Sequence, residues 1–183
     1  MWYRIIFTAM MCALVSCTSK YNLTIPSHQF DNVNLSISTQ KDTIDDFITI
    51  NVSFENNSRK DFYLSGRKHV GISGCDRESL WNLDIYFQDT IMYPPVIFSD
   101  LNLQKEDYFP LKSGEKYMFN FDVDFKKLYQ ENVRDITKRN KYYGEYSLKL
   151  SYEHSNRRNW LLKHRKAFEG RIESNVVTVM YKP

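Results

Sequence analysis

Cys75 has the most reactive side chain in the body of this 183-residue chain, and His69 stands six residues before it. A thiol becomes a nucleophile when its pKa is depressed and a base lies within hydrogen-bond reach. The intervening loop permits that geometry without requiring it, and a buried or idle thiol is the plainer reading. The same segment, residues 65–79, holds Gly66, Gly71 and Gly74, as a phosphate-binding loop would. It lacks the Gly-Lys-Ser/Thr ending, and no helical pattern follows whose N-terminus could receive phosphate. Loop flexibility explains those glycines without a ligand. His28, His69, His154 and His164 share no metal-ligand spacing, and neither His-Glu-x-x-His nor Cys-x-x-Cys occurs, so a metal would need distant residues to converge. Glu145, Glu153 and Glu169 could supply acid and base for sugar hydrolysis, yet nothing in their spacing sets them apart from surface carboxylates on strands. The sequence therefore predicts no catalytic residue, no cofactor and no metal.

Cys17 is a different case, because its surroundings give it a chemistry of its own. Arg4 is followed by an apolar run from Ile5 to Val15, too short to span a bilayer, which takes about 20 apolar residues. The run closes on Leu14-Val15-Ser16-Cys17, which resembles the lipobox of bacterial lipoproteins. That resemblance implies a signal peptide over 1–16, diacylglyceryl attachment to the Cys17 sulfur, cleavage before it and acylation of the new amine. Each buried methylene adds about 0.8 kcal/mol, so two or three chains anchor stably where one does not. An uncleaved N-terminal helix is the alternative. Thr18 follows the cysteine and no acidic residue comes soon after; within the family this implies the outer membrane, facing the periplasm. Residues 17–30 are polar and read as a lipid-anchored tether, leaving 31–183 as the domain. With the leader removed Cys75 is the one thiol of the body, so the core is expected to fold without an internal disulfide.

The elements that would position any site are mostly strands. Aromatic residues make up 15% of the chain, with 13 Tyr and 12 Phe, a composition that suits half-buried pleated surfaces. Val33, Leu35 and Ile37 alternate with Asn34, Ser36 and Ser38, and Ile48, Ile50, Val52 and Phe54 alternate with Thr49, Asn51 and Ser53. Period two with one apolar face predicts half-buried antiparallel strands. The same alternation recurs at Trp81–Phe87, Tyr117–Phe125 and Tyr146–Tyr152, with shorter signals at Phe62–Leu64, Trp160–Leu162 and Asn175–Tyr181. Asn56-Asn57-Ser58 and Leu111 to Glu115 read as turns, and Pro94-Pro95 excludes a central strand there. Phe125, Leu128, Tyr129, Asn132, Val133 and Ile136 recur at helical spacing with Asp124 as a cap, predicting a helix over about 125–137. The expected fold is all-β, an antiparallel β-sandwich of about seven to eight strands with one short helix.

Gly144-Glu145-Tyr146-Ser147-Leu148 resembles the Gly-x-Tyr corner of immunoglobulin-like domains, in which the Tyr hydroxyl ties its strand to the preceding loop. The cysteine that antibody domains carry two residues after that Tyr is Leu148 here. The turn before Tyr117 and the strand from Ser174 to Val177 are similar to those of Ig-like lipoproteins of Gram-negative bacteria. More distantly they resemble the domain of an intracellular proteinase inhibitor. The likeness spans about residues 31–182 and implies architecture rather than activity.

A net charge of +3 gives no bulk attraction to nucleic acid, and the basic clusters Arg157-Arg158 and Lys163 to Lys166 read as solvated loops. The expected function is a non-enzymatic binding or accessory module held at the bacterial envelope by its N-terminal lipid, with an envelope protein or glycan as partner. Loops 65–79 and 90–110 are the natural contact surface, and Tyr93, Phe98, Tyr108 and Phe109 form either an interaction patch or a cover for an open sheet edge. A protease- or toxin-directed inhibitor and an unrecognised hydrolase are the alternatives. Asp42-Thr43-Ile44 and Asp89-Thr90-Ile91 resemble the short O-glycosylation motif of some anaerobic Gram-negative bacteria, which would place glycans on Thr43 and Thr90.

Overall fold

The computed structural model describes residues 32–66, 70–71, 80–92, 107–132, 142–154 and 167–182. Within them lie eleven strands: β1 (Val33–Thr39), β2 (Thr43–Ile44), β3 (Phe47–Asn56), β4 (Phe62–Ser65), β5 (Val70–Gly71), β6 (Trp81–Phe87), β7 (Thr90–Met92), β8 (Tyr108–Leu111), β9 (Lys116–Asp124), β10 (Gly144–His154) and β11 (Gly170–Tyr181). One helix, α1 (Phe125–Asn132), follows β9 directly. The fold is all-β. A three-stranded antiparallel sheet runs β1-β3-β9, a six-stranded mixed sheet runs β2-β11-β10-β6-β5 with β7 on β6, and β4 pairs β8 as a separate ribbon.

The alternating residues sort as their periodicity demands. Leu35, Ile37, Ile50, Val52 and Phe54 are buried on the inner side of the three-stranded sheet, and Trp81, Leu83, Ile85, Tyr146, Leu148 and Tyr152 on that of the six-stranded one. Aromatic rings join the two. Phe54 makes edge contacts with Trp81 at 6.0 Å and Tyr152 at 5.5 Å across the core, and with Phe168 at 5.6 Å. A fully buried aromatic side chain contributes about 1.5–3 kcal/mol of burial, and each well-oriented ring pair about 0.5–1.5 kcal/mol more.

More strands form than the sequence predicts. β2, β5 and β7 are two or three residues long, too short to show a period. β5 falls inside the expected loop 65–79 and β7 inside 90–110, while β8 starts within 90–110 and ends at Leu111. β8 even accepts Pro110, opposite Tyr63 at the rim of its ribbon, where a missing N–H is tolerated. β11 starts five residues before the predicted Asn175. Residues Trp160–Leu162, expected as a strand, lie outside the described residues, as do 133–137 of the expected helix.

Three local devices fix the frame. Asp124 Oδ1 accepts the Lys127 N–H at 2.8 Å, capping α1 as its spacing requires, and Phe125 and Leu128 of that helix are buried against the core. Asn56, fully buried at the end of β3, donates from Nδ2 to the Lys60 and Leu111 carbonyls, each at 3.0 Å, while its Oδ1 accepts Ser58 N–H and Ser58 O–H. Its backbone joins the turn before β9: Asn56 N–H donates to Glu115 O and Gly114 N–H donates to Asn56 O. Gly114 holds φ +81°, the left-handed region that glycine occupies without a Cβ penalty. The third device is a register shift in the β10–β11 ladder between Lys149 and Ser151. There Leu150 N–H turns to the Ser174 hydroxyl at 2.9 Å, and the next side chain, Asn175, reaches the other sheet. Its Oδ1 accepts Ile37 N–H at 2.9 Å and its Nδ2 donates to Ile37 O at 3.0 Å, so the irregularity re-aims one side chain across the two layers.

Candidate functional site

The outward-facing residues of β1, β3 and β9 form a shallow open depression of about 620 Å³, lined by Ser36, Ser38, Asn51, Ser53, Lys116, Met118 and Asn120 among others. Register builds it. Ser38, Asn51 and Asn120 lie in one cross-strand row, and Ser36, Ser53 and Met118 in the next. Asn34, Glu55 and Lys116 close one end, where Lys116 Nζ meets Glu55 Oε1 at 2.8 Å. Hydrogen bonding to Lys116, aided by its charge, holds the Glu55 carboxyl below the usual glutamate range. Toward the other end Thr49 donates to Asp122 at 2.6 Å, and Phe47 stands 64% exposed beyond it.

The middle of this face carries no charge: Lys116 and Glu55 pair at one end, and the Asp122 carboxylate lies toward the other. Hydroxyl and carboxamide groups both donate and accept, and Met118, 68% exposed, adds a polarisable apolar contact. Such a surface can hold a neutral polar chain by hydrogen bonds.

Sequence reasoning treated these polar alternants as the solvent side of their strands. Only the pairing register gathers Asn51, Asn120 and Ser38 from three segments, and register is not visible in any one of them.

Tyr108 is buried rather than displayed: its hydroxyl and His154 Nε2 are 2.9 Å apart. Phe109 is half-buried against Tyr117, with ring centroids 4.7 Å apart. Pairing of β8 with β4 turns Tyr108 inward, into a small cluster with Ala167 and Tyr63, while Phe109 packs partly buried against the main core. Tyr93, Phe98, His69, Cys75 and Cys17 lie outside the described residues. His154 is buried with Tyr108. Glu145 and Glu153 stand at opposite ends of β10, about 27 Å apart at the strand rise, too far to flank one glycosidic bond. Glu153 instead faces Arg171 at 3.8 Å. Among the described residues no three His, Cys, Asp or Glu side chains gather closely enough to hold a metal ion, and no helix is long and apolar enough to cross a membrane.

Thr43 and Thr90 are both exposed, and both open short strands rather than lying in loops. Thr90 follows Gln88 and Asp89, whose φ values of 46° and 62° mark the two-residue hairpin turn that matches strand twist.

The chain matches no protein-family model, and no curated protein matches it at a significant level.

Proposed function

We propose that the protein is a lipid-anchored, non-enzymatic binding or accessory module of the bacterial envelope, built as an immunoglobulin-like β-sandwich and held at the outer membrane on its periplasmic side. The observation that carries this reading is the sequence Leu14-Val15-Ser16-Cys17 at the end of a charged and then apolar leader. Lipid on Cys17 would hold the domain at the surface through the polar tether, leaving the uncharged middle of the face of β1, β3 and β9 open to an envelope partner.

Three features support the immunoglobulin-like reading. Tyr146 donates its hydroxyl to the Tyr142 carbonyl at 2.8 Å, the bond expected of a Gly-x-Tyr corner. Trp81 is fully buried on the strand beside it, where such domains keep their core Trp. After β1 the chain crosses to the other sheet, so that β2 pairs in parallel with β11.

The test is replacement of the proposed lipid acceptor. Wild type expressed in a Gram-negative host should take up a palmitate label, lose its leader and partition into detergent. Cys17→Ala should lose the label and keep the leader. If the variant is processed and partitions as wild type does, the anchored reading is wrong.

A further inference from the structure

The two edges of the three-stranded sheet are finished differently. On β1 Ile37, midway along the strand, turns its N–H and C=O outward, and the Asn175 carboxamide satisfies both. On β9 nothing comparable occurs among the described residues. Asn56 N–H to Glu115 O at one end and Phe125 N–H to Asp46 O at the other fix the phase of the ladder. Residues 117, 119, 121 and 123 turn their backbone groups to β3, so Lys116, Met118, Asn120 and Asp122 turn theirs away. Among the described residues no backbone group pairs with them. The strand is nine residues long, without Gly, Pro or a register shift. An edge so long and regular is a template for another strand. Its inner side is also incomplete, for Tyr117, Phe121 and Val123 are only partly buried.

We propose that β9 is a homodimerisation edge, pairing antiparallel with β9 of a second copy about a two-fold axis through Asn120. The sequence Lys-Tyr-Met-Phe-Asn-Phe-Asp-Val-Asp matches its own reverse in every row except that of Met118 and Asp122. With full overlap, Lys116 faces the second copy's Asp124 twice over, and Met118 faces its Asp122. On the core side Phe119 meets the second copy's Phe121, and Tyr117 meets its Val123. Opposite charges and aromatic or β-branched pairs directly across a ladder each favour the register by about 0.2–1 kcal/mol. The outer depressions of the two copies then merge into one face across six strands, with Asn120 beside Asn120 at its centre. This pairing does not depend on lipid at Cys17.

Single cysteines test both the edge and its register. In the full-length chain with Cys75→Ser, the two copies of residue 120 stand about 5.5 Å apart at Cα, inside the 4.4–6.8 Å range of a disulfide. Residue 116 stands about 27 Å from its counterpart. Under mild oxidation Asn120→Cys should give at least ten-fold more disulfide dimer than Lys116→Cys, with the Cys75→Ser parent as baseline. The unmodified chain should sediment as a concentration-dependent monomer–dimer mixture. Equal cross-linking of the two variants, Asn120→Cys at baseline, or a monomer at every concentration overturns the proposal.

Discussion

Asn56→Asp changes one side-chain atom and should cost more stability than any conservative surface change. The Nδ2 group donates to Lys60 O and Leu111 O, each at 3.0 Å, and no part of the residue is exposed. A carboxylate in its place removes two hydrogen bonds, each worth about 0.5–1.5 kcal/mol net, and sets an acceptor against two carbonyl oxygens in a dry site. With the burial cost of the poorly paired oxygen, the loss sums to about 3–4 kcal/mol at neutral pH. For a chain of this size that lowers Tm by about 6–16 °C.

The pH dependence has a definite sign. Burial and the facing carbonyls favour the neutral acid, so its pKa rises in the folded state above about 3.9. The two Ser58 donors on Oδ1 limit that rise. Between the unfolded and folded values the native state holds the proton more often. Variant stability therefore increases as pH falls through the folded value, by about 1.4 kcal/mol per unit of separation. Urea unfolding at pH 7.5 and at pH 5, each against wild type, reads both effects. A difference under 1 kcal/mol at the higher pH, or one that widens on acidification, would refute the account of Asn56 as a satisfied hub.

Tyr146→Phe removes the hydroxyl that binds Tyr142 O and should cost about 1–2 kcal/mol, seen as a lower urea midpoint at unchanged slope; a midpoint equal to wild type would show that the corner bond contributes nothing. Gly114→Ala should cost about 1–2 kcal/mol from the left-handed backbone alone, because nothing lies within 4 Å of the added Cβ, and Gly114→Asn should recover part of it by tolerating that conformation. Equal losses for the two variants in thermal melts would mean that crowding rather than φ sets the cost.

The long strands were legible because each carries its own period. β3, β6, β9 and β10 read directly from Ile48, Trp81, Tyr117 and Tyr146 onward, and the Asp124 cap marks where strand gives way to helix. The short pieces were not legible, since two or three residues contain no period and owe their shape to a neighbour. β7 exists because Gln88 and Asp89 adopt positive φ, and β2 because β11 offers it an edge. Tyr108 shows the limit of composition: an aromatic residue in a loop-like segment suggests a sticky surface until its pairing partner turns it inward. The face of Ser38, Asn51 and Asn120 had no sequence signal beyond polar alternation, because its rows depend on which strands lie side by side.

The Asn175 carboxamide grips Ile37 across 138 residues, and β11, the last strand, supplies the partner for both β2 and β10. Synthesis must run nearly to its end before the two layers can be latched. Such far-separated closure is slow, and it leaves the nascent polypeptide unlatched until β11 emerges. For the exported lipoprotein proposed above, that delay keeps the chain threadable through a translocation channel until it shuts on the far side.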